Sequence, residues 1–239
     1  MDVDGCPLPE DRLYDRSLES WILLSADGTA KMGLTASWAA FLGPIERIGY
    51  RSEAGMGDRG RSVATIESTR TTVPLRLPLA AEVIETNRNL ASRPQRINED
   101  PYGEGWIVSL RPVRPVEVDS DLATAAEIRA AILVQIAELR IHCWPVPPRV
   151  EMVEIGLECS AIFSLLDEEL ARRGPGEAVL LVTDDPTSPI EMIRWVDRTG
   201  HRLRAERRQD SLFQFLIQKE ERPTPRHRSV DGSLISDGT

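Results

Sequence analysis

The stretch Asn98-Glu-Asp-Pro-Tyr-Gly-Glu-Gly-Trp106 is dense in turn-forming residues and stands directly before an apolar run, Trp106–Leu110. Proline fixes one backbone angle and glycine admits left-handed ones, so such a string folds back on itself instead of extending. It closes a region, Tyr14–Arg111, that reads as β-rich. Working upstream, Ser62–Glu67, Val73–Leu79 and Ala81–Glu85 are strand-like runs separated by polar or proline-containing turns. Pro74 and Pro78 favour sheet edges, because proline has no N–H to give to a ladder. Trp21–Leu24 and Thr29–Leu34 flank Ala26-Asp-Gly28, a hairpin turn. Ala36–Leu42 is a short helix stopped by Gly43-Pro44.

Downstream the rhythm changes. Asp119–His142 has neither Gly nor Pro, and Leu122, Ala125, Ile128, Ile132, Ile136 and Leu139 recur at helical spacing. The spacing predicts one helix over Asp119–His142 with Asp119 and Ser120 as caps. Trp144-Pro-Val-Pro-Pro148 stops it and forms a stiff linker. Val150–Ile155 then reads as a strand, Ala161–Arg172 as a helix, and Ala178–Val182 as a fully buried strand. Ser188-Pro-Ile-Glu191 opens a second helix, with Ser188 as cap, Pro189 at the first helical position and Glu191 returning a capping box. Gly200 ends it, and His201–Arg208 with Leu212–Lys219 makes an antiparallel pair. The expected division is an arm at 1–12, a β-rich domain with its helix at 13–143, a linker at 144–149, a β-α-β-α-β-β unit at 150–219 and a disordered tail at 220–239.

Composition narrows the function. The chain has 239 residues and a net charge of −9, with 41% hydrophobic and 28% charged residues. That is ordinary globular composition, and the acidic balance argues against a nucleic-acid partner. No run is long enough to span a membrane, and the polar, acidic first seventeen residues do not resemble a secretory signal, so a cytoplasmic location without membrane association is expected. Three cysteines far apart are too few for a disulfide framework, and three histidines without ligand spacing predict no metal. Cys6 falls in an N-terminus expected to be mobile, and Cys143 beside His142 reads as linker packing. Of 29 basic residues only Lys31 and Lys219 are lysines, so chemistry that needs a lysine amine has two candidates.

Residues 13–112 and the following helix resemble glycine-cleavage H-proteins. The resemblance rests on Asn98–Trp106, Asp27-Gly28, Gly33-Leu-Thr35, Leu42-Gly43, Ile66-Glu-Ser68 and Glu19-Ser-Trp21, the last without the family's histidine. It implies a lipoyl-type β-sandwich and a lysine three residues after the glutamate that carries lipoate. Here Glu67-Ser-Thr-Arg70 puts an arginine in that place. A guanidinium keeps its charge and cannot attack an activated acyl group, so no lipoyl cofactor is expected. Two readings follow: a scaffold or docking fold without its arm, or a hairpin whose Arg70 binds an anion.

Residues 150–219 resemble TusA-type sulfurtransferases through Gly156-Leu-Glu-Cys159, Gly174-Pro-Gly-Glu177, Thr183–Ser188, Thr199-Gly-His201 and Phe213–Lys219. The resemblance implies a two-layer fold and a cysteine, Cys159, that carries sulfur as a persulfide between protein donors and acceptors. A helix N-terminus would favour its thiolate, whereas Glu158 opposes it and Ser160 replaces the family's proline. The other reading makes Cys159 a small core residue. Arg202, Arg204, Arg207 and Arg208 read as a solvated face balanced by Glu206 and Asp210. The fold class is therefore α+β, with an H-protein-like sandwich followed by a TusA-like unit. The function expected is sulfur carriage on Cys159 beside a docking domain, with protein partners. The alternatives are a non-catalytic binding protein or an H-protein of the glycine cleavage system.

Overall fold

The computed structural model describes residues 1–51, 55–118 and 121–221, the side chain of Cys159 apart. The chain divides into two compact units, Met1–Cys143 and Trp144–Thr239. Asp119 and Ser120, and all but the first two residues of the expected tail, lie outside the described residues. No helix among the described residues is long and apolar enough to cross a membrane.

The first unit contains β1 (Asp2–Val3), β2 (Cys6–Pro7), β3 (Leu13–Asp15), β4 (Ser20–Leu24), β5 (Ala30–Leu34), α1 (Ala36–Leu42), β6 (Ile45–Tyr50), β7 (Gly55–Gly57), β8 (Ser62–Ser68), β9 (Thr72–Arg76), β10 (Ala81–Thr86), α2 (Arg96–Glu99), β11 (Val108–Pro112), β12 (Leu122–Thr124) and α3 (Ala125–Glu138). One sheet runs β12-β3-β4-β5-β11-β10-β7 and another β6-β8-β9, all pairs antiparallel. They sandwich a core in which Met32, Leu34 and Leu110 meet Ile45, Ile66 and Leu75. Pro74 does lie on an edge strand, β9, opposite Thr65. The Asp27-Gly28 turn forms as expected, with Gly28 at φ 79° and its N–H donating to the Ser25 carbonyl.

The decisive nine-residue stretch is a knot of side-chain bonds. Asn98 donates to the carbonyls of Ala39 (3.1 Å) and Gly43 (2.9 Å) and accepts from the N–H of Ile45 (2.9 Å). The Pro101 carbonyl accepts from the Trp21 indole at 3.1 Å. Tyr102 O–H donates to the Pro7 carbonyl and accepts from the Ala36 N–H. A Cβ at Gly105 would stand 2.6 Å from the Asp100 carbonyl oxygen, which is why that position tolerates only glycine. Arg12 is stacked between the rings of Trp21 and Tyr102, at 4.8 and 5.0 Å from their centroids.

Two expectations for this unit are overturned. The helix predicted over Asp119–His142 spans only Ala125–Glu138. Leu122–Thr124 is used instead as a strand paired with β3, and Thr124 with Glu127 forms a complete capping box that fixes the start. At the other end Arg140 turns left-handed at φ 53°. The N–H of Ile141 then reaches the Ile136 carbonyl and that of Arg140 the Ala137 carbonyl, a Schellman closure. The second correction concerns cysteine. Cys6 and Cys143 form a disulfide with a Cα–Cα distance of 5.1 Å across 137 positions. Neither a mobile N-terminus nor simple linker packing describes them. Val3, Cys6 and Leu8 of the N-terminal hairpin are buried against Ile128, Ile132 and Ile136 of α3, each such side chain contributing about 1.5–3 kcal/mol. The Schellman turn sends the chain back past buried Ile141, which brings Cys143 to the hairpin.

The second unit contains β13 (Pro148–Glu154), α4 (Cys159–Ala171), β14 (Ala178–Thr183), α5 (Ser188–Thr199), β15 (Arg202–Gln209) and β16 (Leu212–Gln218). The sheet order is β13-β14-β16-β15, with β13 parallel to β14 and the other pairs antiparallel. Ile162, Leu166 and Leu170 of α4 and Met192 and Trp195 of α5 pack on Val179, Leu181 and Phe215. On the opposite face Trp144 and Val146 pack with Ala178, Leu180 and Leu216, so every residue of β14 is buried. The Trp195 indole donates to Asp167 at 3.0 Å and ties the two helices together.

The start of α5 differs from expectation. Ser188 is its first residue, not its cap, and Pro189 is its second. The cap position is Thr187, held by Asp185, whose carboxylate accepts from the Thr187 N–H and hydroxyl at 2.8 Å each. Glu191 pairs with Arg194 instead of returning to the cap. Gly200 ends the helix as expected, left-handed at φ 73°. On β15, Arg202, Arg204, Glu206 and Arg208 share the exposed face, while Arg207 falls on the other.

Candidate functional site

The β8–β9 hairpin carries Thr69-Arg70-Thr71 at its tip. Ser68 shapes it: the Ser68 hydroxyl accepts from the N–H groups of Arg70 and Thr71, and the Ser68 N–H donates to the Thr71 carbonyl. The Thr69 N–H donates to the Pro44 carbonyl at 3.0 Å, anchoring the tip beside the end of α1. Arg70 then reaches across Gly43. Its Nη1 donates to the Phe41 carbonyl at 2.8 Å and lies 3.5 Å from the Ala40 carbonyl.

These carbonyls belong to the last turn of α1, where the helix runs out of N–H donors and the Gly43 N–H alone returns to Ala40, at 3.3 Å. They also form the negative end of the helix dipole, so a guanidinium is a favourable partner. Asn98 takes the Ala39 and Gly43 carbonyls of the same helix end. Gly43 adopts φ 77° and ψ −163°, a region open essentially to glycine. A Cβ there would lie 3.1 Å from Arg70 Nε, so the missing side chain is also the groove in which Arg70 lies. The sequence places Arg70 on the hairpin and suggests an external anion as its partner. The arginine in fact lies along its own protein.

The same geometry tests the lipoyl group that the fold implies. That group requires an amine at the hairpin tip. Arginine offers none, and its guanidinium is engaged with backbone carbonyls. Lys31 lies on β5 over the Trp106 ring, 5.0 Å from its centroid. Lys219 is in the other unit, where its Nζ donates to the Arg173 carbonyl at 2.6 Å beyond the end of α4. The residues present do not fit a lipoyl attachment.

Two further features flank the hairpin. Arg47 on β6 and Glu67 on β8 face each other across the strands in a bidentate pair, with Nε to Oε2 at 2.8 Å, and this hydrogen bonding holds the Glu67 carboxyl below its usual range. An open cleft of about 390 Å³ lies between β3, α1 and β9, lined by Asp15, Glu19, Trp38, Val73 and Arg76 among others. Burial, aided by the charge of Asp15, raises the Glu19 carboxyl above its ordinary value, and Arg76 opposes that shift.

In the second unit, Cys159 is the first residue of α4, with Glu158 at the cap position and no side-chain cap bond. Gly156, left-handed at φ 73°, precedes it and donates its N–H to Asp184 at 2.8 Å, linking the β13–α4 and β14–α5 loops. Ser160 is exposed, as are Leu157 and Glu158. The Cys159 side chain lies outside the described residues. Arg70 and Cys159 belong to different units.

Known proteins match the sequence of the first unit. The family model for glycine cleavage H-protein matches residues 12–134. The glycine cleavage system H protein 5 of Aquifex aeolicus is 34% identical over 146 residues, which is 59% of this chain and 98% of that protein. The H protein of Thermus thermophilus is 35% identical over 105 residues, 44% of this chain and 80% of its own. A crystal structure of a glycine cleavage system H protein from Mycobacterium marinum covers 52% of this chain and 98% of its own at 29% identity, with a TM-score of 0.47. The family match ends before the second unit begins. The family model over residues 12–134 and the relative from Aquifex aeolicus, matched over nearly its whole length, show the family: the chain belongs to the glycine cleavage H-protein family.

Proposed function

We propose that this chain is a protein-docking member of the H-protein family that has lost the swinging arm, and that its transferable chemistry resides in Cys159. The observation that carries the first part is Arg70, fixed at the hairpin tip with its guanidinium on the Phe41 and Ala40 carbonyls. A tip held in this way is a surface and not a tether. The relatives are glycine cleavage system H proteins, and the surface such a protein presents to other proteins is the inheritance this reading keeps. Fold alone does not carry the relatives' activity.

The second part rests on the β-α-β-α-β-β order of the second unit, the resemblance of Gly156–Cys159 to TusA-type segments and the place of Cys159 at the start of a helix. Backbone N–H groups and the helix dipole at that position favour a thiolate. In the reading proposed, the Cys159 thiolate attacks the outer sulfur of a donor protein's persulfide. A Cys159–S–SH bond forms, the donor S–S bond breaks, and the donor leaves as a thiolate. The outer sulfur passes to an acceptor nucleophile by the same exchange, with no net oxidation or reduction.

Both parts are tested by intact mass. Incubated with a lipoate ligase, ATP and lipoate, the chain should keep its mass, and a gain of one lipoyl group would overturn the first part. Arg70→Lys supplies the missing amine with Glu67 still three residues before it, and should accept lipoate if the hairpin otherwise suits a ligase. Incubated with cysteine and a cysteine desulfurase, the chain should gain one sulfur atom, absent in Cys159→Ser. Serine still suits a helix start, so the fold should persist. No gain, or the same gain in Cys159→Ser, would overturn the second part.

A further inference from the structure

The outer face of the β6-β8-β9 sheet holds an open groove of about 450 Å³ lined by Arg51, Ser62, Thr65, Thr72, Val73, Pro74 and Arg76. Among the described residues its polar lining contains two guanidiniums and three hydroxyls, and no carboxylate. That is unexpected in a chain with 38 acidic residues against 29 basic ones. The register explains it. Thr65 stands opposite Pro74, Ser62 opposite Arg76, and Glu67 opposite Thr72. Glu67, the acid nearest along these strands, is occupied by Arg47. Arg76 is held in place by an Nη1 bond to the Gly60 carbonyl at 2.9 Å, and it stands between this groove and the neighbouring cleft, where its charge also acts on Glu19. Arg51 is exposed and has no ion-pair partner among the described residues, and its backbone N–H, bonded to the Val63 carbonyl at 2.9 Å, fixes where its side chain starts.

The geometry points to an oxyanion site in this groove, of the kind that takes a small phosphorylated molecule. Donors come from the Thr65 and Thr72 hydroxyls and the two arginines, while the Ser62 hydroxyl donates to the Ala64 carbonyl at 3.2 Å. A tetrahedral phosphate can accept from all of these directions at once, whereas a planar carboxylate presents only two oxygens. The volume is well above what a lone phosphate fills and lies within the usual range for small-molecule sites, so a phosphate ester with an organic part fits better than the free ion. Pro74 and Val73 supply an apolar wall for that part. The site is independent of Arg70 and of Cys159.

The test uses the full chain, isotopically labelled, titrated with inorganic phosphate and separately with phenyl phosphate while amide resonances are followed. Acetate and chloride at matched ionic strength are the comparison arms. The expected result is saturable shifts at Ser62, Thr65 and Thr72, tighter for phenyl phosphate than for phosphate and absent with chloride. Arg51→Gln and Arg76→Gln should each weaken binding by roughly tenfold or more, the cost of removing one partner of a charged hydrogen bond. Thr65→Val, which changes no charge, should weaken it less but measurably. Non-saturating shifts, equal response to acetate or chloride, or binding unchanged in the arginine variants would overturn the assignment.

Discussion

Replacing Arg70 with alanine isolates what the guanidinium does for the fold. The substitution removes the bond to the Phe41 carbonyl at 2.8 Å and the weaker approach to Ala40 at 3.5 Å. A charged hydrogen bond is worth about 1.5–3 kcal/mol when shielded. Arg70 is exposed, and exposed charged contacts retain only a fraction of that, about 0.2–1 kcal/mol. A cation at a helix C-terminus contributes a similar 0.3–1 kcal/mol, partly the same energy counted again. The net expectation is a loss of about 1 kcal/mol. For a unit of this size that lowers the melting temperature by roughly 2–5 °C. Hydrogen exchange gives the sharper reading. The amides of Thr69 and Gly43, bonded to Pro44 and Ala40, should lose protection by more than the about fivefold that the global change gives the sheet amides of β5 and β11. An unchanged melting temperature together with unchanged exchange at Thr69 and Gly43 would refute the view that Arg70 pins the tip. Arg70→Lys should fall between, since lysine keeps the charge but not the planar fork.

Asn98→Ala leaves the Ile45 N–H and two carbonyls without their partners and should destabilise the first unit by about 2–4 kcal/mol in chemical denaturation, more than Arg70→Ala because the site is half-buried. Reduction, or Cys143→Ser, removes a cross-link across 137 residues; loop entropy sets an upper bound of about 4–5 kcal/mol, and a melting temperature indifferent to reductant would contradict the bond. Glu19 holds its proton more tightly folded than unfolded, so the stability it contributes is present below the unfolded glutamate pKa of about 4.3 and is lost as pH rises through the higher folded value. Glu19→Gln should remove that decline, making the variant relatively more stable than the parent at neutral pH than at pH 4 in paired thermal melts.

Local rules made much of this fold readable. Ala36–Leu42 forms the helix its composition predicts, because Thr35 caps it and Gly43 stops it, both within the segment. Ala178–Thr183 is a buried strand because both of its faces find apolar partners. The features that escaped depend on distance. Ile45–Tyr50, with Ile45 and Ile48 buried three apart, shows no alternation, and a register shift between Ile45 and Arg47 is the reason. Asp119 and Ser120 look like caps, yet Thr124 prevails because Leu122 and Ala123 gain more from the ladder with β3. The role of Arg70 could not be read from its neighbours, since Phe41 and Ala40 lie about thirty positions earlier. The pairing of Cys6 with Cys143 needed the N-terminal hairpin to be seated first. Gly43 was a readable signal for the Arg70 contact only once the hairpin was known to lie over it.

The link between Cys6 and Cys143 makes the first unit a closed covalent ring from which the chain leaves at both sides of one bond. The second unit begins at the next residue, Trp144. A pull applied between the two ends of the chain would therefore run through residues 1–6, across the sulfurs and on to Trp144, and the sandwich would carry none of the load. A protease cut anywhere between Pro7 and His142 would open the ring without releasing a fragment until the bond was reduced. Such a nick would be invisible on a non-reducing gel by loss of mass and visible at once on a reducing one. The second unit would stay attached to its partner domain through damage that would separate an ordinary tandem protein.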